Sequence, residues 1–258
     1  MTAGPSMMKD RTALVTGASS GLGAHFAKLL AASGANVVLA ARRVDRLEEV
    51  RLEIERSGGR VIAVPLDVVD EQSTIRAYDA AEKAFGVVDT IIANAGMNIE
   101  GPLLDLAADA VDAVFSVNVR GVFLTVREGA RRLIAHAQGG RKPRGRAVIV
   151  SSITATAVVP GLAIYSASKA GVLQLGRVMA REWANRGVNV NILCPGYIET
   201  ELNEGWFGTE GGQKQIKRWP RKRLMDASSL DSMMLYLASD AAEFATGSVF
   251  SIDDAQCL

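Results

Sequence analysis

Short, unbroken apolar runs recur along the chain, and each gives way to a longer stretch in which apolar residues return every three or four positions. TALVTG (12–17) predicts a buried strand running into glycine, and in GLGAHFAKLLAASG (21–34) the residues Leu22, Phe26, Leu29 and Leu30 fall at helical spacing, with Gly34 as the stop. The rhythm then repeats. NVVLAA (36–41) predicts a second strand and VDRLEEVRLEIERSGG (44–59) a charged amphipathic helix; RVIAVPLDV (60–68) predicts a third strand, with a helix over 71–86. VVDTIIANAG (87–96), GRAVIVSS (145–152) and VNVNILCPG (188–196) predict strands four to six, separated by long helices over 108–136 and 163–187. Residues 199–223 carry glycines, two tryptophans and no clean period, and predict an irregular segment. A helix near 227–238 and a last strand, GSVFSIDD (247–254), close the chain.

Strands that lack polar alternation and are separated by helices predict a parallel sheet covered on both faces. The expected fold is α/β, a doubly wound sheet of about seven strands. With no linker and no internal repeat, residues 1–258 read as a single domain. Ligands of such sheets sit beyond the carboxyl ends of the strands, so the chemistry is expected just after each strand.

Composition narrows the function. Across 258 residues, 48% are hydrophobic and 22% charged, ordinary for a globular protein, and the net charge of +1 gives no global attraction to nucleic acid or to an acidic membrane. The basic clusters RKPRGR (141–146) and KRWPRKR (217–223) read as solvated loops. Nucleic-acid binding through them is the weakest alternative, since no recognition motif accompanies them. Two cysteines, Cys194 and Cys257, leave no disulfide framework and suggest a reducing compartment. Without a signal-peptide core or an apolar run near 20 residues, the expectation is a cytoplasmic protein with no membrane partner. His25 and His136 stand without partners at metal-ligand spacing, so no metal is expected. Cys194, at a buried strand end, reads as core.

TGASSGLG follows strand one and opens a helix. Its backbone at Gly17, Ser19, Ser20, Gly21, Leu22 and Gly23 can turn tightly, and the free N–H groups of the helix start can meet a pyrophosphate. Alone it is also consistent with a tight strand-to-helix turn that binds nothing. After strand two, LAARR places Ala41 where a carboxylate would bind a ribose 2′-hydroxyl, followed by Arg42 and Arg43, whose guanidinium groups can fork onto a 2′-phosphate. This favours NADP(H), with NAD(H) as the other candidate. Asp67 and Val68 after strand three would lie near an adenine. Asn94, Ala95 and Gly96 after strand four would let backbone pass close to a ribose; each of these post-strand residues, Asp67 included, taken alone also fits an Asx turn or a loop glycine.

TGASSGLG, NAG, SS and YSASK, followed by PGYIET, occur in order and at family-like spacing, and together they resemble the short-chain dehydrogenase/reductase family over essentially the whole chain. The resemblance implies a catalytic tetrad at Asn118, Ser152, Tyr165 and Lys169. Ser152 rather than Ser151 matches, because it lies 13 residues before the tyrosine. Ser152 would hydrogen-bond the substrate oxygen and Asn118 would hold a water linking the lysine to solvent. Pro195, Gly196, Ile198 and Thr200 would flank the nicotinamide, although Thr200 serves equally as a helix N-cap. The family also implies a homotetramer or dimer with the two long helices as contacts. The ending SIDDAQCL departs from the family's glycine-rich finish, which leaves contacts near the pocket floor in question.

The residues carry the same chemistry by themselves. Tyr165 and Lys169 are four apart, hence on one helix face, and an ammonium within ~4–6 Å lowers an acid's pKa by about 1–3 units. A phenol brought near neutrality in this way can exchange a proton with an alcohol or ketone. The expected function is therefore hydride transfer between a nicotinamide cofactor and a secondary alcohol or ketone. Segment 199–223, with Trp206 and Phe207, would cover a medium-sized and fairly apolar substrate, although Trp206 and Trp219 could simply pack that lid. A non-catalytic dinucleotide-binding sensor on the same fold is the alternative, disfavoured by the presence of all four tetrad residues.

Overall fold

In a computed structural model of the protein, which describes residues 7–137, 144–203 and 205–258, seven strands form one sheet. They are β1 (Thr12–Thr16), β2 (Asn36–Ala41), β3 (Arg60–Pro65), β4 (Thr90–Ala93), β5 (Gly145–Val150), β6 (Val188–Pro195) and β7 (Val249–Ile252). Their order is β3-β2-β1-β4-β5-β6-β7, every pairing parallel, with Val15 opposite Leu39 on one side and Ile92 on the other. All five residues of β1 and all eight of β6 are buried, including Asn189 and Asn191 of β6, which donate to the carbonyls of Ala242 and Ala245.

The helices are α1 (Gly21–Ala32), α2 (Val44–Arg56), α3 (Glu71–Phe85), α4 (Ala108–Phe115), α5 (Val122–Ala137), α6 (Ala163–Trp183), α7 (Glu210–Arg218) and α8 (Asp231–Ala238). They cover both faces. Ala13 and Val15 point to one core, filled by Phe26 and Leu30 of α1, Leu47 of α2 and Leu237 of α8. Leu14, one residue out of phase, belongs to the other core with Tyr78, Val126 and Met179 from α3, α5 and α6. Truncating Phe26, which is fully buried, should cost about 3–5 kcal/mol. The strand order reverses between β1 and β4, and the crevice opens there, beyond the strand ends.

Several expectations change. The long helix predicted over 108–136 is interrupted by a π-helical stretch, Ser116–Gly121, between α4 and α5. Segment 199–223 contains α7, concealed in the sequence by Gly211 and Gly212. Thr209 caps it by accepting from Gly212 N at 3.1 Å, and a Cβ on Gly212 would lie 2.2 Å from the Trp206 carbonyl oxygen, so glycine is required by packing. Residues 141–143 of the first basic cluster lie outside the described residues. Arg144 is exposed and pairs with Asp240, whereas Arg146 departs from the expected solvated loop: it is buried in β5 and donates to Ser239 O at 2.9 Å. In the second cluster Trp219 is buried, and Arg221 and Arg223 both pair with Asp254. No described helix is long and apolar enough to cross a membrane.

Candidate active site

The turn after β1 is built by contact. Gly17 has φ +68°, and a Cβ on Gly23 would fall 2.2 Å from the Gly17 carbonyl oxygen, so helix α1 starts directly against the turn. Ser20 caps α1 without a side-chain hydrogen bond, and no acidic residue lies in the first helical turn. The first N–H groups are therefore left for a ligand, and a negative charge would be favoured there. Thr16, which the motif reading did not single out, secures the neighbouring loop: its Oγ1 accepts from the N–H groups of Asn94 and Ala95 at 3.0 and 3.1 Å, while Asn94 Nδ2 donates to Thr16 O. Its position as the last residue of a buried strand was the available signal.

A cavity of about 1050 Å³ extends from this turn along the carboxyl ends of β1, β4, β5 and β6. Gly17, Ser19, Ser20, Gly21 and Leu22 line it at one end with Arg42 and Arg43; Asp67, Val68, Asn94, Ala95 and Gly96 line its middle. Pro195, Gly196, Ile198 and Thr200 line the side opposite Ser152, Tyr165 and Lys169. Gly23 and Asn118 lie behind this wall rather than in it. Arg43 donates to Ser20 Oγ at 2.6 Å and Ser19 Oγ at 3.1 Å, and pairs with Glu201 at 2.8 Å. Arg42 has no hydrogen bond or ion pair among the described residues, which leaves its guanidinium for a ligand. Asp67 does form an Asx turn, accepting from Val69 N at 3.2 Å, and still faces the cavity.

The reacting end is held by α6. Tyr165 and Lys169 do share a face, with Lys169 Nζ 5.5 Å from the centroid of the Tyr165 ring. The expected acidification of the phenol is absent. Burial pushes Tyr165 up to about 12, partly offset by a hydrogen bond with Ser152, and burial pushes Lys169 down to about 8. Lys169 Nζ instead donates to Val150 O at 2.9 Å. Desolvation is the largest influence on both groups.

Ser152 follows β5 and accepts from Thr154 N at 3.2 Å and Thr154 Oγ1 at 3.1 Å. With its oxygen doubly engaged, its own proton is directed toward Tyr165. Thr154 is thus a second residue that motif reading missed, visible only as a hydroxyl two positions after a serine. Ser151 is buried and donates to Lys169 O at 2.8 Å. Asn118 sits fully buried in the π-helical stretch, where Oδ1 accepts from Met97 N at 2.8 Å and Nδ2 donates to Met97 O and Ser168 Oγ, each at 2.9 Å. Its side chain is consumed by these bonds and has no donor left for a water.

Beyond Tyr165 the wall is aromatic. Tyr197 stacks on Trp219 at 5.1 Å and meets Phe207 edge-on at 5.9 Å. Trp219 packs this wall from behind, whereas Trp206 and Phe207 line the cavity. Thr200 lies over the turn, 3.5 Å from where a Gly21 Cβ would stand. The C-terminal ending takes part as well: Gln256 Oε1 accepts from Tyr197 N at 2.6 Å, bracing the loop after β6. His25 pairs with Asp231 at 2.6 Å across α1 and α8, away from the cavity.

A dinucleotide-shaped crevice ending in a phenol, a lysine and a hydroxyl is the working arrangement of an oxidoreductase. The chain belongs to the short-chain dehydrogenase family, whose "short chain dehydrogenase" model matches residues 11–211. It is 35% identical over 244 residues to gluconate 5-dehydrogenase of Gluconobacter oxydans, covering 93% of this chain and 92% of that one. It is 34% identical to 3beta-hydroxysteroid dehydrogenase 1 of Eggerthella lenta, covering 97% and 95%. A short chain dehydrogenase from Burkholderia cenocepacia, solved in complex with NADP, superposes with a TM-score of 0.88 at 32% identity, covering 97% of this chain and 99% of the other.

Proposed function

We propose that the chain acts as one dinucleotide-binding domain that reduces ketones, or oxidises secondary alcohols, with NADP(H) preferred and NAD(H) accepted. The observation that carries this is the convergence of Ser152, Tyr165 and Lys169 on the same cavity as the glycine turn and Arg42. The residues fit the cofactor: the uncapped start of α1 suits a pyrophosphate, and the unpaired guanidinium of Arg42 suits a 2′-phosphate. The NADP in the Burkholderia cenocepacia neighbour supports the same preference. When bound, the nicotinamide supplies or accepts the hydride.

The chain's own residues handle the oxygen and its proton. Tyr165 Oη, protonated at neutral pH as an ordinary phenol is and more so for its burial, donates to the carbonyl oxygen as negative charge develops on it. Ser152 Oγ offers that oxygen a second hydrogen bond, with Thr154 fixing the hydroxyl's direction. Lys169, with a pKa of about 8, is positioned to restore the phenol's proton and to contact the cofactor's ribose. Asn118 acts as a positioning residue, locking the loop at Met97 to α6 through Ser168.

Tyr197, Trp206 and Phe207 form an apolar wall suited to a medium-sized alcohol or ketone. Gluconate and a steroid, the substrates in the two relatives' names, differ so greatly that this wall, and not ancestry, must set the choice. Phe115 on α4, Phe123 on α5 and Val178 on α6 expose apolar surface, which supports a homo-oligomer built on these helices. We place the protein in the cytoplasm, consistent with its two unpaired cysteines.

A screen of secondary alcohols and ketones with NADPH and NADH, repeated with Tyr165→Phe, tests the reading. Turnover by the wild type that the variant lacks is the expected result. Cofactor binding without turnover on any substrate would instead favour a sensor. An Arg42→Asp variant that bound NADPH undiminished would remove the 2′-phosphate assignment.

A further inference from the structure

We propose that Glu201 is a cofactor-specificity residue, supplying from the segment after β6 the carboxylate that the end of β2 lacks. The inference rests on the dinucleotide reading above. Ala41 occupies the position from which an acidic side chain would bind a ribose 2′-hydroxyl, and the two arginines after it favour a 2′-phosphate. In space, however, that place is not free of negative charge. Thr200 lies over Gly21, and this brings the next residue, Glu201, across the mouth of the cavity. Glu201 Oε2 accepts from Arg43 Nη2 at 2.8 Å, while the same guanidinium holds Ser19 and Ser20 of the glycine turn. Hydrogen bonds from Ser20 and Arg43 hold Glu201 below the usual carboxylate range, so it is ionised at neutral pH.

The two cofactors differ only at the 2′-oxygen. The 2′-hydroxyl of NAD(H) is a hydrogen-bond donor, and a carboxylate can accept from it. The 2′-phosphate of NADP(H) carries nearly two negative charges at pH 7, accepts only, and must draw Arg43 away from Glu201 while the carboxylate repels it. Arg42, unpaired among the described residues, pulls the opposite way, and Arg46 adds a further positive charge near Glu201. The preference between cofactors is thus a balance between Arg42 and Glu201. Neither group makes it alone.

The experiment is fluorescence titration of the purified wild type and Glu201→Gln with NADPH and with NADH, read as the ratio of Kd(NADH) to Kd(NADPH). Removing the charge while keeping the shape should raise this ratio about 5- to 30-fold, the scale of one charge-assisted hydrogen bond lost on one side and one repulsion relieved on the other. Glu201→Asp, which keeps the charge, should remain close to wild type. Introducing Glu201→Gln into an Arg43→Gln background should still raise the ratio, because the carboxylate accepts from the 2′-hydroxyl and repels the 2′-phosphate directly. Titrations with 2′-AMP and 5′-AMP isolate the adenosine end and should show the same direction. An unchanged ratio, or equal weakening of both cofactors, would overturn the proposal by showing that Glu201 merely ties down the loop. A wild type that bound neither cofactor would instead remove the dinucleotide reading, and this inference with it.

Discussion

Lys169 offers a quantitative test because its environment works against its charge. The ammonium is 4% exposed, donates to one backbone carbonyl, and has no carboxylate partner; burial lowers its pKa from the usual 10.5 to about 8. In the unfolded chain the lysine keeps its proton up to about 10.5, whereas in the fold it begins to lose it near 8. Between these values the unfolded state binds more protons, so stability must rise with pH. The penalty is fully present below pH 8 and fades as pH approaches 10.5. At 1.36 kcal/mol per pH unit it is about 3 kcal/mol at pH 7, and roughly 2 kcal/mol of it is relieved by pH 9.5.

Lys169→Met removes the charge and keeps the length. It forfeits the hydrogen bond to Val150 O, about 1 kcal/mol at any pH. The cofactor-free variant should therefore unfold above wild type at pH 7, by a Tm difference of about 4 °C for a chain of this size, and the gap should close by pH 9.5. Tyr165, which burial holds near 12, begins to reverse the trend only above pH 10, so the window is clean. A difference between Lys169→Met and wild type that stays constant from pH 7 to 9.5 would refute the argument that desolvation dominates here.

The chemistry yields further predictions. Tyr165→Phe should lower kcat/KM by about 10²–10⁴-fold, the range of general acid catalysis, with cofactor affinity retained in a binding titration. Carbonyl reduction should fall as pH rises through about 8, because Lys169 then loses the proton it relays; a profile flat to pH 10 would exclude that role. Thr154→Val removes one of the two donors to Ser152 Oγ, the Thr154 hydroxyl, while the backbone N–H remains, and should reduce kcat more than it raises KM. Gly23→Ala forces a methyl to within 2.2 Å of the Gly17 oxygen, and should abolish cofactor binding or cost more than about 2 kcal/mol of stability in denaturant titration.

What the sequence could reveal about this site follows from the range over which each signal acts. Buried parallel strands need unbroken apolar runs and covering helices need apolar returns at 3.6 residues, so the order of elements was legible throughout. Tyr165 and Lys169 were legible together because both sit on one helix, where sequence distance converts directly into spatial distance. The π-helical stretch around Asn118 was not, since its apolar spacing is not distinguishable from that of the α-helices on either side. The helix α7 was hidden for another reason: Gly211 and Gly212 oppose helix formation locally, and Trp206 is what makes room only for glycine.

The same distinction explains why the acidity of Tyr165 was misjudged. Spacing brings an ammonium near, but the balance between its pull and the loss of water depends on how deeply the fold buries both groups, and no local pattern encodes that depth. It also bears on cofactor choice. LAARR advertises a phosphate site with no carboxylate, yet Glu201, 158 residues from Arg43 in sequence, stands 2.8 Å from it in space. Motif rules assign cofactor preference from the end of the second strand because in most such folds the decisive charges are local to it. Here the segment after β6 carries both Glu201 and the cavity-lining Trp206 and Phe207, so on the proposed reading a substitution in this one continuous piece of chain is to be assayed for cofactor preference and for substrate choice together.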